Sequence, residues 1–450
     1  MTGCDAICPG RVLRPADPGY DAARQLFNGM HDPRPALIAM PAGTAELSRL
    51  VEWAAGSGLP TAVRSTGHNV AGTASAPGGL VIDLRLMNGV RVDPGRCLAR
   101  VQGGATWADL DAAAARHGLA VTGGTFDTTG VAGLTLGGGV GHLMARYGLA
   151  CDNVVSFDLV PPAGGRLAVT RDNDPELDWG MRGAGHNFGV VAEFTFGLHP
   201  VPHVYGGVVA YPGHAMAEAV RLFRDLAEEA PDELVLIMLL ERYGPRQEAA
   251  AVMSVCYCGD REPYVRELTR RLRGPELLDW RIERRSYVSM QQILGRLPYG
   301  LRHYWSPRCT AALPDELIDA LVARFEAGRW RGPWNDTVYI EEFHGAVRAT
   351  PGSAVPFRRA RFNVTGMAIW EPPESDDEQI AWARSVSAAA EPWAVAGDGY
   401  PNYLSDRAAA AGPRRTFGAD AHDRLVALKR RLDPGNLLRH NYNLDPVVHQ

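Results

Sequence analysis

The 450-residue chain has almost no lysine: Lys429 is the single lysine among 46 basic residues, and the others are arginine. These basic residues are scattered along the chain, and the formal net charge is −5. A protein that binds nucleic acid needs a basic patch or stripe to meet the phosphate backbone. Because the sequence has no such cluster, we expect no nucleic-acid partner, and the mildly acidic composition favours a small molecule instead.

Long apolar runs are also missing. No stretch of about 18 uninterrupted apolar residues occurs, so the sequence offers no membrane-spanning helix and no membrane partner is expected. Residues 1–9 have neither the basic region nor the apolar region of a signal peptide. We therefore expect a cytoplasmic protein.

Cysteine is present in an odd number, seven, spread over the whole chain. A disulfide framework would need an even and more closely spaced set, so free thiols are favoured. Cys256 and Cys258 lie two residues apart in an apolar run, which favours two thiols on one face of a strand over a metal site. No bound metal is expected.

The sequence divides into three regions that differ in composition and in predicted secondary structure, as expected for a chain longer than one hydrophobic core usually organises. Residues 1–200 are rich in glycine and in short strand-like runs. Residues 201–395 alternate strands with amphipathic helices, which predicts an α+β domain built on an antiparallel sheet covered by helices. Residues 396–450 surround one amphipathic helix, are too few for a core of their own, and are expected to return to the first domain.

The longer strands of the second region are predicted at 204–210, 234–240, 250–257, 336–342 and 362–370. Its helices are predicted at 215–229, 262–272, 314–327 and 378–390, where apolar residues recur at three- and four-residue spacing. The C-terminal helix is predicted at Ala419–Leu432 and is ended by the Asp-Pro-Gly sequence at 433–435.

A Ser/Thr/Gly turn follows a short strand predicted at 61–63. Such turns present consecutive backbone N–H groups that bind phosphate oxygens. The histidine beside this turn could act as a base, a ligand or a nucleophile, although a lone histidine in a loop is more often a structural hydrogen-bonding group. The turn consists of Arg64, Ser65, Thr66, Gly67, His68 and Asn69.

Glycine is concentrated between residues 123 and 141. Each glycine costs roughly 0.5–1 kcal/mol relative to alanine in regular structure and is usually retained where a ligand or another backbone comes close. Gly137 and Gly139 could be read as part of a nicotinamide fingerprint. That motif needs a preceding strand and an acidic residue about 20 positions later, and both are missing. A nicotinamide-dependent enzyme is therefore strongly disfavoured, as is a plain binding protein, because the sequence has no evident recognition surface beyond the cofactor machinery.

Two further segments, 147–154 and 179–196, each form a turn that leads into a strand. The C-terminal region adds two motifs, Tyr-Pro-Asn-Tyr-Leu at 400–404 and Asp-Pro-Gly-Asn-Leu-Leu-Arg-His-Asn-Tyr-Asn at 433–443. In this order, the turn at 64–69, the glycine-rich segment, the two turns and these motifs resemble the berberine bridge enzyme-like branch of FAD-linked oxidases, which share the vanillyl-alcohol oxidase fold. The resemblance runs from residue 34 to residue 446. It implies that 1–200 form a two-part FAD-binding domain of the PCMH type and that 201–395 form a substrate domain.

The resemblance also implies how FAD is held. The family joins FAD through its C8α methyl group to the histidine that corresponds to His68. Many relatives have a second bond from a cysteine at the position of Phe126, so one covalent link is expected here. Cys151 is interpreted as a buried structural thiol. Contacts to FAD are implied for Arg64, Ser65, Thr66, Gly67, His68, Asn69, Thr128, Thr129, Gly130, Gly133, Gly137, Gly138, Gly139, Gly141, His142, Asn153, Val154, Val191, Asn402, Asn441 and Asn443.

For the reaction, the resemblance implies that hydride leaves a CH–OH or CH–NH carbon of a sugar or natural product, while a base takes the proton from the adjacent O–H or N–H. Relatives use a tyrosine that corresponds to Tyr403, and Tyr400 is the alternative. A tyrosine, whose usual pKa is near 10, can do this if a cation or neighbouring donors lower its pKa.

Other relatives place a carboxylate on the strand at 362–370, where this sequence has Asn363 and Thr365. On the neighbouring strand, His344 or Glu342 could face the pocket, although Glu342 is more readily interpreted as a solvated or salt-bridged surface residue. Aromatic residues offered by the second domain as pocket walls are Tyr304, Trp305, Phe362 and Trp370.

Dioxygen is the expected electron acceptor, giving hydrogen peroxide. Thr129 replaces a small aliphatic residue that admits oxygen in relatives, so oxidase and dehydrogenase both stay open. Two other functions also stay open: oxidative ring closure or dehydrogenation in the biosynthesis of natural products, and a non-redox cyclase that uses FAD as a scaffold. The sequence leaves the substrate and the oligomeric state undecided.

Overall fold

The computed structural model describes residues 3–328, 336–350, 352–395, 399–405 and 412–447. Two small sheets and a two-stranded ribbon lie in the first 200 residues, and one large sheet follows them. Within the described ranges, no helix combines the length and the apolar character needed to cross a membrane.

The first sheet has four short strands, and its parallel part positions the turn that carries His68. Helix Thr44–Ser57 crosses over between two of the strands and packs Leu47, Leu50 and Val51 onto the sheet. Parallel strands bring their carboxyl ends to the same edge, so the residues that follow Arg64 and Asp83 leave the sheet side by side. In spatial order the strands are Val12–Leu13, Leu37–Ala39, Leu80–Asp83 and Thr61–Arg64.

The second sheet is antiparallel and has five strands. Phe157, Phe194 and Phe196 pack their rings against one another in its core. Helix Trp107–Ala115 lies nearby and begins at a capping box formed by Thr106 and Asp109. In spatial order the strands are Val90–Asp93, Leu98–Gln102, Val190–Gly197, Val154–Val160 and Leu167–Val169.

The large sheet is antiparallel throughout, and helices cover one of its faces. The α+β class and the helix-covered antiparallel sheet are therefore confirmed. In spatial order its main strands are Asp279–Trp280, Val204–Pro212, Glu248–Tyr257, Leu234–Tyr243, Thr337–Glu342, Phe362–Trp370 and Arg302–Thr310, and Glu283–Arg285 also pairs with Val204–Pro212. The covering helices are Met216–Glu228, Glu262–Leu272, Asp315–Ala327 and Asp376–Ala389.

The other face of the large sheet packs against the first region. Ile237, Leu239 and Tyr339 on this face share an apolar cluster with Phe27 and Val70, which belong to the first 200 residues. A face that would otherwise be exposed is thus buried between the two regions, and the contact brings the large sheet up to the turn at 64–69.

Sequence analysis missed the strand Arg302–Thr310. It contains Pro307, which has no N–H to donate to a strand ladder. The strand lies at one end of the sheet order and pairs with Phe362–Trp370. An edge position tolerates proline because the unused side of the strand needs no partner.

Helix Ala419–Leu432 packs against the first region through Leu425 and Leu428. On the same helix Lys429 is fully buried and donates three hydrogen bonds: to Asp433 Oδ2 at 2.7 Å, to the Leu438 carbonyl at 2.9 Å and to the Asn187 carbonyl at 3.2 Å. The single lysine thus ties the C-terminal segment to residues of the first 200. The domain boundaries at 200 and 395 stay a prediction.

The remaining elements are short. Leu119–Ala120 and His199–Pro200 form the ribbon. The other α-helices are Gly3–Ile7, Tyr20–Arg24, Val131–Leu136, Met144–Tyr147, Pro175–Ala184, Tyr287–Gln291, Ala346–Ala349 and Pro413–Phe417, and the 3-10 helices are Leu84–Leu86, Ala150–Asn153, Gly185–Asn187, Gly213–Ala215, Pro373–Ser375, Glu391–Trp393 and Pro401–Tyr403.

We expect Lys429→Met to destabilise the protein by about 3–5 kcal/mol, because it leaves the buried Asp433 carboxylate without its cation. Arg431→Met is the matched control, since Arg431 is on the same helix and pairs with Asp174, but its side chain is 49% exposed. An exposed pair contributes about 0–1 kcal/mol. Thermal unfolding compares the two variants, and equal losses would contradict the role of Lys429.

Candidate active site

A cavity lies between the turn at 64–69, other parts of the first region and the large sheet. It contains about 1660 Å³ of empty space, including its opening to solvent. Predicted site residues that line it are Ser65, Thr66, Gly67, His68, Asn69, Thr129, Gly130, Gly133, Val191, Asn402, Tyr403 and Asn441.

The other predicted site residues are not among those that line the cavity. Several of them hold the walls in place. Arg64 pairs with Asp83 at 2.8 Å in a fully desolvated contact, and Asn153 donates to the carbonyls of Tyr147 and Leu149. The residues outside the lining are Arg64, Thr128, Gly137, Gly138, Gly139, Gly141, His142, Asn153, Val154, Tyr400 and Asn443.

Glycine is required at some of these positions by close backbone approach. A Cβ on Gly141 would lie 1.7 Å from the Gly123 carbonyl oxygen, so no other residue fits there without moving the backbone. Gly133 differs, because a Cβ there would meet nothing within 4 Å. Gly133 therefore faces open space inside the cavity.

His68 stands in the cavity wall after Gly67, which has a φ of 77°. Burial, and to a lesser extent nearby His303, lower the pKa of His68 to about 4. The imidazole is therefore neutral at physiological pH. Its Nε2 lies 3.4 Å from the Thr128 hydroxyl oxygen, and a neutral ring nitrogen with a lone pair is available for bonding.

The described part of the cavity wall is free of carboxylate, ammonium and guanidinium groups. None of the described residues that line the cavity is Asp, Glu, Lys or Arg. Ser65 Oγ and Asn441 Oδ1 are buried and have no hydrogen-bond partner within the described part of the chain. Buried polar atoms are normally satisfied, so these atoms indicate a polar ligand. Backbone N–H groups and hydroxyls of the turn would meet phosphate oxygens, and the wall thus fits a dinucleotide.

The large sheet contributes Trp305, Tyr339 and Met367 to the cavity, and Tyr403 joins them. The Tyr403 hydroxyl donates to Glu341 Oε1 at 3.0 Å, and Asn363 Nδ2 donates to Glu341 Oε2 at 2.9 Å. Glu341 is fully buried. Burial raises the pKa of Glu341 to about 7, so this carboxyl takes up and releases a proton near neutrality.

Sequence analysis missed Glu341 and named its neighbours Glu342 and His344. Side chains alternate across a strand, so Tyr339 and Glu341 share one face and Glu342 points to the other. Glu342 is buried and pairs with His344 at 2.7 Å, and its interpretation as a surface residue is wrong. The two-residue spacing from Tyr339 places Glu341 on the same face of the strand, but the sequence does not show which face meets the cavity.

The two candidate tyrosines have different surroundings. Tyr400 is buried, and its hydroxyl oxygen accepts from the Gly139 N–H at 3.0 Å and from Asn402 Nδ2 at 2.7 Å. Tyr403 reaches the cavity, but burial first and the nearby Glu341 carboxyl second raise its pKa well above the usual value. The pKa of Tyr403 is thus shifted against, and not towards, formation of a tyrosinate.

The structure shows the surroundings of Phe126 and Cys151, the two positions discussed for a second covalent link. Phe126, at the position of the second covalent link in relatives, lines the cavity. Cys151 is fully buried outside the lining, with Sγ 3.7 Å from Asp152 Oδ1, and burial raises the pKa of its thiol. In the described part of the chain, no cluster of three or more His, Cys, Asp or Glu residues could hold a metal ion. A single covalent link stays a prediction.

Other wall residues were quoted within motifs but not assigned a role. His186, Asn187 and Val190 come from the segment at 179–196, and Tyr442 comes from the C-terminal motif. Of the four aromatic residues offered by the second domain, Trp305 lines the cavity, whereas Tyr304 and Trp370 pack with Ala383 of a covering helix and Phe362 joins the helix-side core.

Comparison with known proteins agrees with this geometry. A family model described as an FAD binding domain matches residues 35–170. The (R)-6-hydroxynicotine oxidase of Paenarthrobacter nicotinovorans is 31% identical over 447 residues, which cover 97% of each chain. The chain belongs to the berberine bridge enzyme-like FAD-linked oxidases. It is therefore an FAD-dependent oxidoreductase, as the motifs predicted.

Solved structures show the same fold. The 6-hydroxy-D-nicotine oxidase of Arthrobacter nicotinovorans superposes with a TM-score of 0.86 at 30% identity, covering 98% of each chain. The BBE-like 1 protein of Physcomitrella patens superposes with a TM-score of 0.88 at 20% identity, covering 99% of each chain. By sequence alone, an FAD-linked oxidoreductase of Dictyostelium discoideum is also similar, at 28% identity over 92% of this chain and 89% of its own.

We expect Glu341→Gln to change the pH dependence of stability. The folded chain holds the Glu341 proton more tightly than the unfolded chain, with a pKa of about 7 against 4.5. Wild-type stability should therefore fall as pH rises from about 4.5 to about 7, by on the order of 3 kcal/mol from this group.

The neutral glutamine lacks this effect, so the stability of Glu341→Gln relative to wild type should rise across the same interval. A constant offset is also expected, because one glutamine oxygen becomes an NH₂ group that faces either Tyr403 or Asn363. Thermal unfolding from pH 4.5 to pH 8 measures the difference, and a difference that does not vary with pH would refute the raised pKa.

Proposed function

We propose that the protein oxidises a small organic molecule at a CH–OH or CH–NH carbon, with FAD tethered through His68 alone and Tyr403 with Glu341 as the proton-accepting pair. The observation that carries this proposal is the 3.0 Å hydrogen bond to Glu341 from Tyr403, which lines the same cavity as His68. The proposed tether and the first residue of the proposed proton-accepting pair thus border one cavity.

The pair works as a relay. Tyr403 alone is a poor base, because its surroundings raise its pKa. When Tyr403 takes the proton of a substrate O–H or N–H, it passes its own proton to Glu341 along the existing hydrogen bond. Glu341, whose pKa is about 7, is suited to hold that proton at neutral pH. Asn363 fixes the second carboxyl oxygen and so keeps Glu341 aimed at Tyr403.

The residues that would hold FAD are those of the cavity wall. The turn Ser65 to Asn69 would meet the pyrophosphate through N–H and hydroxyl groups. Asn402 closes the wall and is itself fixed, since it donates to the Leu134 carbonyl at 3.1 Å and to the Tyr400 hydroxyl. Bound FAD would accept the hydride and pass the electrons to dioxygen, which gives hydrogen peroxide.

The substrate end of the cavity favours a flat molecule. Trp305, Tyr339 and Tyr403 offer aromatic surface there, and rings stack or meet edge to face on such surface. The similarity to an oxidase named for (R)-6-hydroxynicotine supports an amine attached to an aromatic ring as the first class to screen. Aromatic alcohols and oligosaccharides form the second class.

The tether is tested by acid denaturation, which releases flavin that is not covalently bound. We expect a yellow precipitate and an intact mass increased by one FAD for wild type, and neither for His68→Ala. His186→Ala is the matched control, because His186 also lines the cavity but is not the proposed attachment residue. Flavin left in the supernatant of the wild-type protein would refute the tether.

The relay is tested with the first screened compound that bleaches the flavin without oxygen. We expect Tyr403→Phe and Glu341→Gln to slow flavin reduction by about 10²–10⁴-fold. The wild-type rate should rise with pH through about 7, since Glu341 must be ionised to accept a proton, and both variants should lose this rise.

Tyr400→Phe separates the two candidate tyrosines. Its hydroxyl accepts from the Gly139 N–H and from Asn402 Nδ2 and takes no part in the Tyr403–Glu341 hydrogen bond, so the variant should keep the wild-type pH profile. Stopped-flow absorbance measures all rates. Reduction of Tyr403→Phe at the wild-type rate would rule out the relay.

A further inference from the structure

The His68 imidazole is part of a stack of three rings. The Phe27 ring lies 4.0 Å from the His68 ring at an interplanar angle of 14°, and 4.2 Å from the His303 ring at 26°. Both histidines are nearly parallel to Phe27 at van der Waals distance, so they must occupy its opposite faces. One face of His68 is thereby covered, and the plane of its ring is set by Phe27.

The stack draws on three distant parts of the chain. Phe27 lies between the first two strands of the first sheet in sequence, His68 follows the strand Thr61–Arg64 of that sheet, and His303 belongs to the edge strand Arg302–Thr310 of the large sheet. Phe27 and His303 are both fully buried. Neither ring can therefore turn away without moving its neighbours.

Backbone contacts fix the middle ring. The Phe27 N–H donates to the Gly67 carbonyl at 3.1 Å, and the Gly300 N–H donates to the Phe27 carbonyl at 2.9 Å. The neighbouring residue Asn28 accepts from the His303 N–H at 2.9 Å and donates to the His303 carbonyl at 2.8 Å. The segment at 27–28 is thus pinned to the residue before His68 and to the edge strand.

Two hydrogen bonds also hold the turn so that His68 lies at the cavity. Asn28 Nδ2 donates to the Val70 carbonyl at 2.6 Å, and the Tyr299 hydroxyl donates to the Thr66 carbonyl at 2.7 Å. These two bonds hold the turn on either side of His68. The Nε2 atom of the imidazole lies 3.4 Å from the Thr128 hydroxyl oxygen.

We propose that the stack of Phe27 and His303 positions the His68 ring for covalent attachment of FAD, so that attachment depends on the edge strand of the large sheet. This inference rests on the proposed tether at His68. Phe27 and His303 are positioning residues, because they act through His68. A bond forms only when the attacking nitrogen and the carbon are held in line, and a fixed ring plane supplies that alignment.

A bond forms between a ring nitrogen of His68 and the C8α carbon of FAD, while one C–H bond of that methyl group and the imidazole N–H bond break. The two electrons released reduce the flavin, which takes up two protons. Dioxygen then accepts the two electrons and two protons and becomes hydrogen peroxide.

The test compares His303→Phe with His303→Leu in the full-length protein. The first keeps a flat ring in the stack and removes the titratable group, whereas the second removes the ring. Protein produced under flavin limitation is incubated with FAD in air, and the gain of acid-stable flavin is followed by absorbance and intact mass. Total bound flavin is the acid-stable flavin plus the flavin that acid extraction releases, and it reports binding separately from attachment.

We expect His303→Leu and Phe27→Leu to attach FAD at least about ten-fold more slowly than wild type, with total bound flavin unchanged, and His303→Phe to stay within about two-fold of wild type. If Phe27→Leu does not fold, the two His303 variants decide. Equal rates for His303→Phe and His303→Leu would overturn the positioning role. Wild-type protein that gains no acid-stable flavin would overturn the tether itself, and with it this inference.

Discussion

The apolar contact between the large sheet and the first region is the constraint on which the site depends. Ile237, Leu239 and Tyr339 of the sheet pack with Phe27 and Val70. This contact closes one wall of the cavity and places the sheet residues opposite the turn that carries His68. His68 stacks on Phe27, and Tyr403 packs against the same cluster, so a small shift of one region against the other would separate the proposed tether from the proposed proton acceptor.

Much of the fold could be predicted because its signals are local. The helices Glu262–Leu272 and Ala419–Leu432 have the bounds that their apolar spacing and stop signals indicated, and the strand Phe362–Trp370 was equally clear. The strand Arg302–Thr310 was not, since Pro307 interrupts its pattern and only its place at the sheet edge makes proline acceptable.

The site was less predictable, because it depends on which way side chains point across the sheet. Residues 65–69 of the turn and Tyr403, which the motifs proposed for the site, line one cavity. Glu341 could not be chosen over Glu342 without knowing which face of the strand meets the cavity, since the residues on both faces of the strand are buried. Phe27 and His303 carry no motif at all, and their role near His68 follows from contacts between residues far apart in sequence.

The position of Lys429 has a consequence for the chemistry of the whole surface. It is the single lysine of the sequence, and its side chain is fully buried. The folded protein thus presents no lysine amine to acetylating enzymes, to ubiquitin transfer or to amine-directed cross-linkers and coupling resins. Its positive surface consists of guanidinium groups, which stay charged at any pH the fold survives, so the surface charge of this enzyme is beyond the reach of lysine modification.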